Sequence, residues 1–214
     1  MTAPLTVKRN DYRVNRKASN IKTPYRVCDF LADLLEDKIK QNKDKEVIVD
    51  IGCGDGRLAQ GFYNWERIGI DIKKAKKYQA LDIFIKANFL KMQKLNFNVN
   101  DVSLVLCNPP FNNKKGRELL PEVFLKKIFE LFGEKVPVVL FVPMGFRLNQ
   151  RVKSKRWQYF RDECSAKITS IISLPLDIFS GVEFHSEILI WNIKGLKPHY
   201  WIPKGVYIGK GLTT

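Results

Sequence analysis

Two hydrophobic periods alternate along this chain, and together they predict a succession of helices and strands. A helical period runs from Tyr25 to Lys40, with Val27, Phe30, Leu31, Leu34 and Leu35 on one face. The apolar run Val47 to Ile51 reads as a strand, and a helical stretch follows from Arg57 through Leu58 to Trp65. Ile68 to Ile72 is a second strand, and the lysine-rich connector after it leads to a short apolar piece near Ile83 to Ala87. Next come the strand Val102 to Cys107, a helix from about Leu119 to Phe132, the strand Val138 to Val142 and a helix near Trp157 to Cys164. Ile168 to Leu174 and Glu187 to Ile193 close the series, and Pro137 stands just ahead of its strand, where a missing N–H costs little. Strand and helix in alternation predict an α/β fold, a mainly parallel sheet covered on both faces that binds its ligands at the carboxyl ends of the strands. No internal repeat and no Pro/Ser-rich linker interrupts it. The expected organisation is a basic arm over residues 1–22, one domain over 23–194 and a tail over 195–214.

Two of these strands run into unusual punctuation. Asn108, Pro109, Pro110 and Phe111 end the apolar run Val102 to Cys107. Consecutive prolines cannot continue a central strand, so the chain leaves the sheet with Asn108 at its lip. The ledge offers an amide that both donates and accepts, free carbonyls and an aromatic face. That set suits a planar group bearing an amine, such as a nucleobase held by its edge and by stacking. Upstream, the strand ending at Asp50 and Ile51 runs into Gly52-Cys53-Gly54-Asp55-Gly56-Arg57. Alternate glycines let a backbone turn sharply and approach a ligand closely. The strand Ile68 to Ile72 then carries Asp71 about 20 residues after the first glycine, where an acid can bind ribose hydroxyls. The spacing indicates a nucleoside-containing cofactor without choosing one. The third glycine comes one residue earlier than in the dinucleotide pattern, and Asp50 before the turn is well placed to meet a cationic amino-acid end.

With these motifs the chain resembles the class I S-adenosylmethionine-dependent methyltransferases, and among them the group that methylates amines at Asn-Pro-Pro-Phe or Asn-Pro-Pro-Tyr. The resemblance runs from about Thr23 to Ile193, in the order of the adenine-N6 DNA branch whose methionine-binding segment precedes the glycine motif. It implies a single Rossmann-like methyltransferase domain with a mainly parallel seven-stranded sheet and S-adenosyl-L-methionine as cofactor. By the same resemblance, Thr23, Pro24 and Tyr25 form the N-terminal cofactor segment, and Asp50, Ile51, Gly52, Cys53, Gly54 and Gly56 form the cofactor loop. Asp71 with Ile72 takes the ribose end, Asn88 and Phe89 the adenine, and Asn108 borders both cofactor and target. Asn88 stands where the family usually carries Asp. Asn108, Pro109, Pro110 and Phe111 are the implied catalytic set, with the target amine hydrogen-bonded to the Asn108 side chain and the Pro109 carbonyl and the base stacked on Phe111.

Composition adds the partner. The chain has 214 residues, enough for one α/β domain, and 45% of them are hydrophobic. Its formal net charge of +15 and pI near 9.7 point to a polyanion, with nucleic acid the first candidate. Besides the lysine-rich connector after Ile72, which reads as a solvated face, basic residues gather in three places. The arm carries Lys8, Arg9, Arg13, Arg16, Lys17 and Lys22. Asn112, Lys114 and Lys115 follow the ledge directly, and Arg147, Arg151, Lys153, Lys155 and Arg156 are interleaved with aromatics after the strand Val138 to Val142. The last group reads equally well as a substrate surface or as a helix whose Trp157, Tyr159 and Phe160 pack inward. The loop before the last strand matches the one that in the resembled family supplies an aromatic to the target pocket; Phe184 is the first choice for it and Phe179 the second, with core packing favoured for Phe179.

The four cysteines show no metal spacing and read as free thiols, and the implied chemistry needs no metal. No apolar run reaches membrane-spanning length, and Met1 to Asn10 lacks the apolar core of a secretory signal, so a cytoplasmic protein in a bacterial or phage-like setting is expected. The roughly 20 residues after the last predicted strand are too few for a base-reading module. Target choice is then short or weak, comes from the arm and the 147–161 segment, or is supplied by a protein partner. DNA is the preferred substrate over RNA, and a silent nucleic-acid-binding subunit of the same fold is the alternative from another class.

Overall fold

The computed structural model describes residues 22–39, 46–75, 80–111, 119–148, 150–179 and 183–207. Asn112, Lys114, Lys115 and the arm residues before Lys22 lie outside that set. Eight strands form one sheet: β1 (Val47–Ile51), β2 (Glu66–Asp71), β3 (Ile83–Lys86), β4 (Val102–Cys107), β5 (Val138–Pro143), β6 (Ile168–Ser173), β7 (Ser186–Trp191) and β8 (His199–Trp201). Their order is β3-β2-β1-β4-β5-β7-β6-β8. β7 runs antiparallel to β5 and to β6, and every other pairing is parallel.

Strand parity divides the core. In β1 and β4, Ile48, Leu104 and Leu106 face one side, while Val49, Ile51, Val105 and Cys107 face the other. The first side is covered by helix α1 (Tyr25–Ile39), which buries Val27, Cys28, Leu31, Ala32, Leu35 and Ile39. Helix α2 (Leu120–Phe132) covers the second, with Pro121 in its first turn, where the lost N–H has no helical partner to lose. Both helices fall where the apolar period predicts them.

Three expectations change. The stretch after Arg57 makes only one 3-10 turn, Arg57–Ala59, instead of a helix to Trp65. Gly61 lies so close to α1 that a Cβ there would come within 2.4 Å of the Ala32 Cβ, and close packing with a poor helix former ends the turn. The segment predicted as a helix near Trp157 is split into a four-residue helix α3 (Lys155–Gln158) and a π turn, Tyr159–Glu163. The sheet has eight strands where seven are expected, because His199–Trp201 in the tail pairs with β6. The same tail then forms α4 (Lys204–Tyr207), where Arg26 on α1 donates to the Gly205 carbonyl at 2.8 Å.

Candidate cofactor and target site

β1 and β4 are neighbours in the sheet, and the chain leaves them in opposite directions across it, which makes their carboxyl ends the switch point at which open α/β sheets bind ligands. Ile51 pairs with Cys107, which puts Gly52 and Asn108 side by side as the two strands end. The glycine loop and the proline ledge, distant in the chain, thus share one rim.

Gly52, Gly54 and Gly56 all have positive φ, the conformation for which glycine is the suited residue. A Cβ at Gly52 or Gly54 would meet nothing within 4 Å among the described residues, which leave open space over the loop. Four of the loop N–H groups bond within the protein. Those of Gly52 and Cys53 donate to the Ile70 carbonyl at 2.8 and 3.3 Å, Gly54 to Asp71 Oδ2 at 3.0 Å and Gly56 to the Cys53 carbonyl at 2.8 Å. A phosphate cradle needs such groups free and aimed at the ligand, and these are spent within the protein.

The surroundings are acidic. Asp50 follows Ile48 on the α1 face of β1 and is 2% exposed, and its Oδ2 has no hydrogen-bond partner among the described residues. Burial, then the charges of Asp71 and Asp55, pushes its pKa up to about 8. Asp71 also accepts from the Lys73 N–H at 2.8 Å, and the exposed Ile72 beside it offers an apolar surface. Asp55 is buried, which alone would raise its pKa, but hydrogen bonds from Arg57 and Lys22 outweigh burial and hold it at about 2. Among the described residues no cluster of His, Cys, Asp and Glu has metal-binding geometry, and all four cysteines are free.

The ledge continues the parity of β4. Asn108 falls in the row of Leu104 and Leu106, facing α1, and its Nδ2 donates to Thr23 Oγ1 at 2.9 Å. Pro109 is buried, Pro110 exposed and Phe111 half-buried. The Phe111 carbonyl accepts from the Leu120 N–H at 3.2 Å, which ties the ledge to α2. The Phe111 ring meets Phe184 edge-on at 5.1 Å, and Phe184 stacks on Phe179 at 5.2 Å. Phe179 is core, as the sequence suggests, and Phe184 is the member that reaches Phe111.

The remaining sequence-predicted residues separate. Thr23 is turned to Asn108, Pro24 accepts from the Val27 and Cys28 N–H groups to start α1, and Tyr25 lies under the Arg57 guanidinium at 4.3 Å. Ile51 is core and Cys53 is buried beneath the loop. Phe89 stacks on Phe124 inside the second core cluster, so its ring serves packing. Asn88 Oδ1 accepts from the Leu90 N–H at 3.2 Å and caps a 3-10 turn, a task a carboxylate or an amide performs equally well. Arg147 forks onto Glu187, itself 2% exposed, at 3.2 and 3.1 Å. Arg156 bonds to Glu122 at 2.6 Å and to the carbonyls of Gly145 and Phe146, so it is a structural tie. Arg151, Lys153 and Lys155 stay exposed beside Leu148, Val152 and Trp157, whereas Phe160 packs on Phe146 and Trp191. Sequence reasoning missed Asp55, Arg57 and Glu187 as ion-pair centres. No spacing rule marks an i, i+2 pair in a glycine loop or a glutamate buried in a strand.

No family model matches this sequence, and no curated protein matches it. Solved structures do match the fold. A modification subunit of a candidate type I restriction enzyme from Vibrio vulnificus YJ016 superposes with TM-score 0.60 at 16% identity, covering 88% of this chain and 48% of the other. A candidate class I S-adenosylmethionine-dependent methyltransferase from Listeria monocytogenes gives 0.53 at 18% identity, with 87% and 64% covered. A candidate RNA methyltransferase from Pyrococcus horikoshii gives 0.53 at 15%, with 85% and 89% covered. This chain therefore spans about half the length of the type I subunit and most of the length of the Pyrococcus protein. At such identities the likeness is one of fold: the chain has the α/β fold of class I methyltransferases.

Proposed function

We propose that this protein is an S-adenosyl-L-methionine-dependent methyltransferase that methylates the N6 amine of adenine in nucleic acid, with DNA as the preferred substrate. The observation that carries the proposal is the pairing of a phosphate-unfriendly acidic loop with the Asn108 ledge across Ile51 and Cys107. Loop N–H groups bonded inward, together with Asp50 and Asp71, which pair with no Lys or Arg among the described residues, disfavour a pyrophosphate and favour a cationic nucleoside. The orphaned Asp50 Oδ2 and the open space over Gly52 and Gly54 fit the charged methionine end, and Asp71 with Ile72 fits the ribose and the edge of the adenine.

When bound, the cofactor supplies an electrophilic methyl group on a sulfonium. The protein does the rest by position. The Asn108 side-chain oxygen and the Pro109 carbonyl accept the two hydrogens of the target amine, drawing its nitrogen toward tetrahedral geometry and exposing its lone pair. Phe111, braced edge-on by Phe184, supports the base plane, and the base reaches the ledge unstacked from its neighbours. Arg151, Lys153 and Lys155, exposed beyond the end of β5, are assigned to phosphates, and a protein partner is the proposed source of sequence choice.

A second reading, RNA as substrate, is supported by the fold match to the Pyrococcus protein, which is described as a candidate RNA methyltransferase. The cofactor half is tested by calorimetric titration with S-adenosylmethionine. Saturable binding is expected, and its absence sinks both readings.

A further inference from the structure

We propose that Thr23 is a positioning residue that anchors the Asn108 carboxamide at the ledge with its oxygen end left to the target, and that the Asp55–Arg57 pair holds Thr23 in place for that task. The inference rests on the methyltransferase reading above. It gives Thr23 a different duty from the cofactor contact that resemblance implies.

A carboxamide has two ends of nearly equal shape, and only its partners decide their orientation. An amine target needs the oxygen end, since two N–H groups facing each other repel. Here Nδ2 is occupied by Thr23 Oγ1 at 2.9 Å, and Thr23 is 4% exposed, so water does not compete for the contact. A hydroxyl can accept from Nδ2 or donate to Oδ1, so Thr23 anchors the carboxamide and an amine target, which needs Oδ1, completes the choice of end.

Thr23 comes from 85 residues upstream and needs fastening. Asp55 supplies it from inside the glycine loop. Its carboxylate accepts a fork from Arg57, Nε at 2.9 Å and Nη2 at 2.7 Å, and a bond from Lys22 Nζ at 2.7 Å. Arg57 Nη1 also donates to the Thr23 carbonyl at 3.4 Å, and its guanidinium lies over the Tyr25 ring at 4.3 Å. Residues on both sides of Thr23 and its own carbonyl are thus gripped by one ion pair. Pro24 further narrows the backbone choices of Thr23. The cofactor loop and the target ledge are joined through this segment, so a loop disturbed at Asp55 is a ledge disturbed at Asn108.

The test uses the full chain with asparagine side chains labelled with nitrogen-15, comparing wild type, Thr23→Val, Thr23→Ser and Arg57→Gln. Valine keeps the branched shape and removes the hydroxyl, while serine keeps the hydroxyl. In Thr23→Val the Asn108 side-chain amide protons are expected to exchange at solvent-like rates and kcat to fall about 10- to 100-fold. Cofactor Kd and KM for nucleic acid stay within about twofold of wild type, and Thr23→Ser restores both signals. Arg57→Gln raises amide exchange through residues 23–28 and lowers kcat in the same direction. Wild-type kcat in Thr23→Val overturns the proposal, as does a loss of cofactor affinity in step with kcat, which returns Thr23 to the cofactor. A wild-type protein that transfers no methyl group to any nucleic acid overturns the underlying reading instead, and the amide signal distinguishes the two because it is read without substrate.

Discussion

Asp50 occupies a fully buried strand between valine and isoleucine with one oxygen unpartnered, a costly place for a carboxylate and a natural one for a group awaiting a cation. Its pKa is raised to about 8 from an ordinary value of 3.8, so between those values the folded protein holds a proton that the unfolded chain releases. Stability contributed by this group is complete below 3.8 and is lost as pH rises through about 8. Melting temperatures of wild type and Asp50→Asn across pH 5 to 9 check this: wild type should lose stability relative to the variant as pH rises. Cofactor binding should run the opposite way. A cation beside Oδ2 favours the carboxylate, so affinity for S-adenosylmethionine rises with pH toward 8 and titrations in buffers of different ionisation enthalpy show proton release. Asp50→Asn should flatten both trends. The residue was legible in the sequence because an acid ahead of alternating glycines is a local pattern. The Thr23 contact to Asn108 was not, since nothing local marks a hydrogen bond spanning 85 residues.

At the scale of elements, β1, β4, β5, α1 and α2 followed directly from periodicity, and their parity explains why Asn108 faces α1. The segments that departed are those in which tertiary contact overrules local pattern, such as the 57–65 stretch pressed against Ala32 and the three-residue β8. The glycine loop is bound by its own geometry. Gly56 has φ of +80°, and a Cβ there would lie 2.5 Å from Leu81 Cγ. Gly56→Ala should therefore cost about 1–2 kcal/mol for the backbone alone, with more for displacing Leu81. Denaturant unfolding measures that cost, and an unchanged midpoint would contradict the loop geometry. The segment after β5 divides in two: Phe160 and Arg156 hold it to the domain, while Arg151, Lys153 and Lys155 remain exposed with Val152 and Trp157. The sequence left these roles equally weighted because basic and aromatic residues alternate faster than either a strand or a short helix can sort them.

For the whole molecule, charge and chemistry are distributed in opposite senses: a net charge of +15 overall, and at the glycine loop Asp71 beside an Asp50 that can ionise to meet a cation. A polyanion is drawn to the surface while a cationic ligand is favoured within. Affinity for duplex DNA should fall steeply with salt. Reversing Arg151, Lys153 and Lys155 to Glu should weaken binding and reduce the slope of log K against log salt by about 0.9 for each phosphate no longer neutralised. A slope unchanged by the triple variant would remove this segment from the nucleic-acid surface. The central claim joins Asn108 to methyl transfer, and the most direct measurement incubates wild type and Asn108→Ala with methyl-labelled S-adenosylmethionine and matched DNA and RNA, then identifies the labelled base. Wild type should yield N6-methyladenine in DNA and Asn108→Ala at least a roughly 100-fold loss, on the order expected for removing one positioned group. Label confined to RNA would move the substrate, and transfer undiminished in Asn108→Ala would contradict the account.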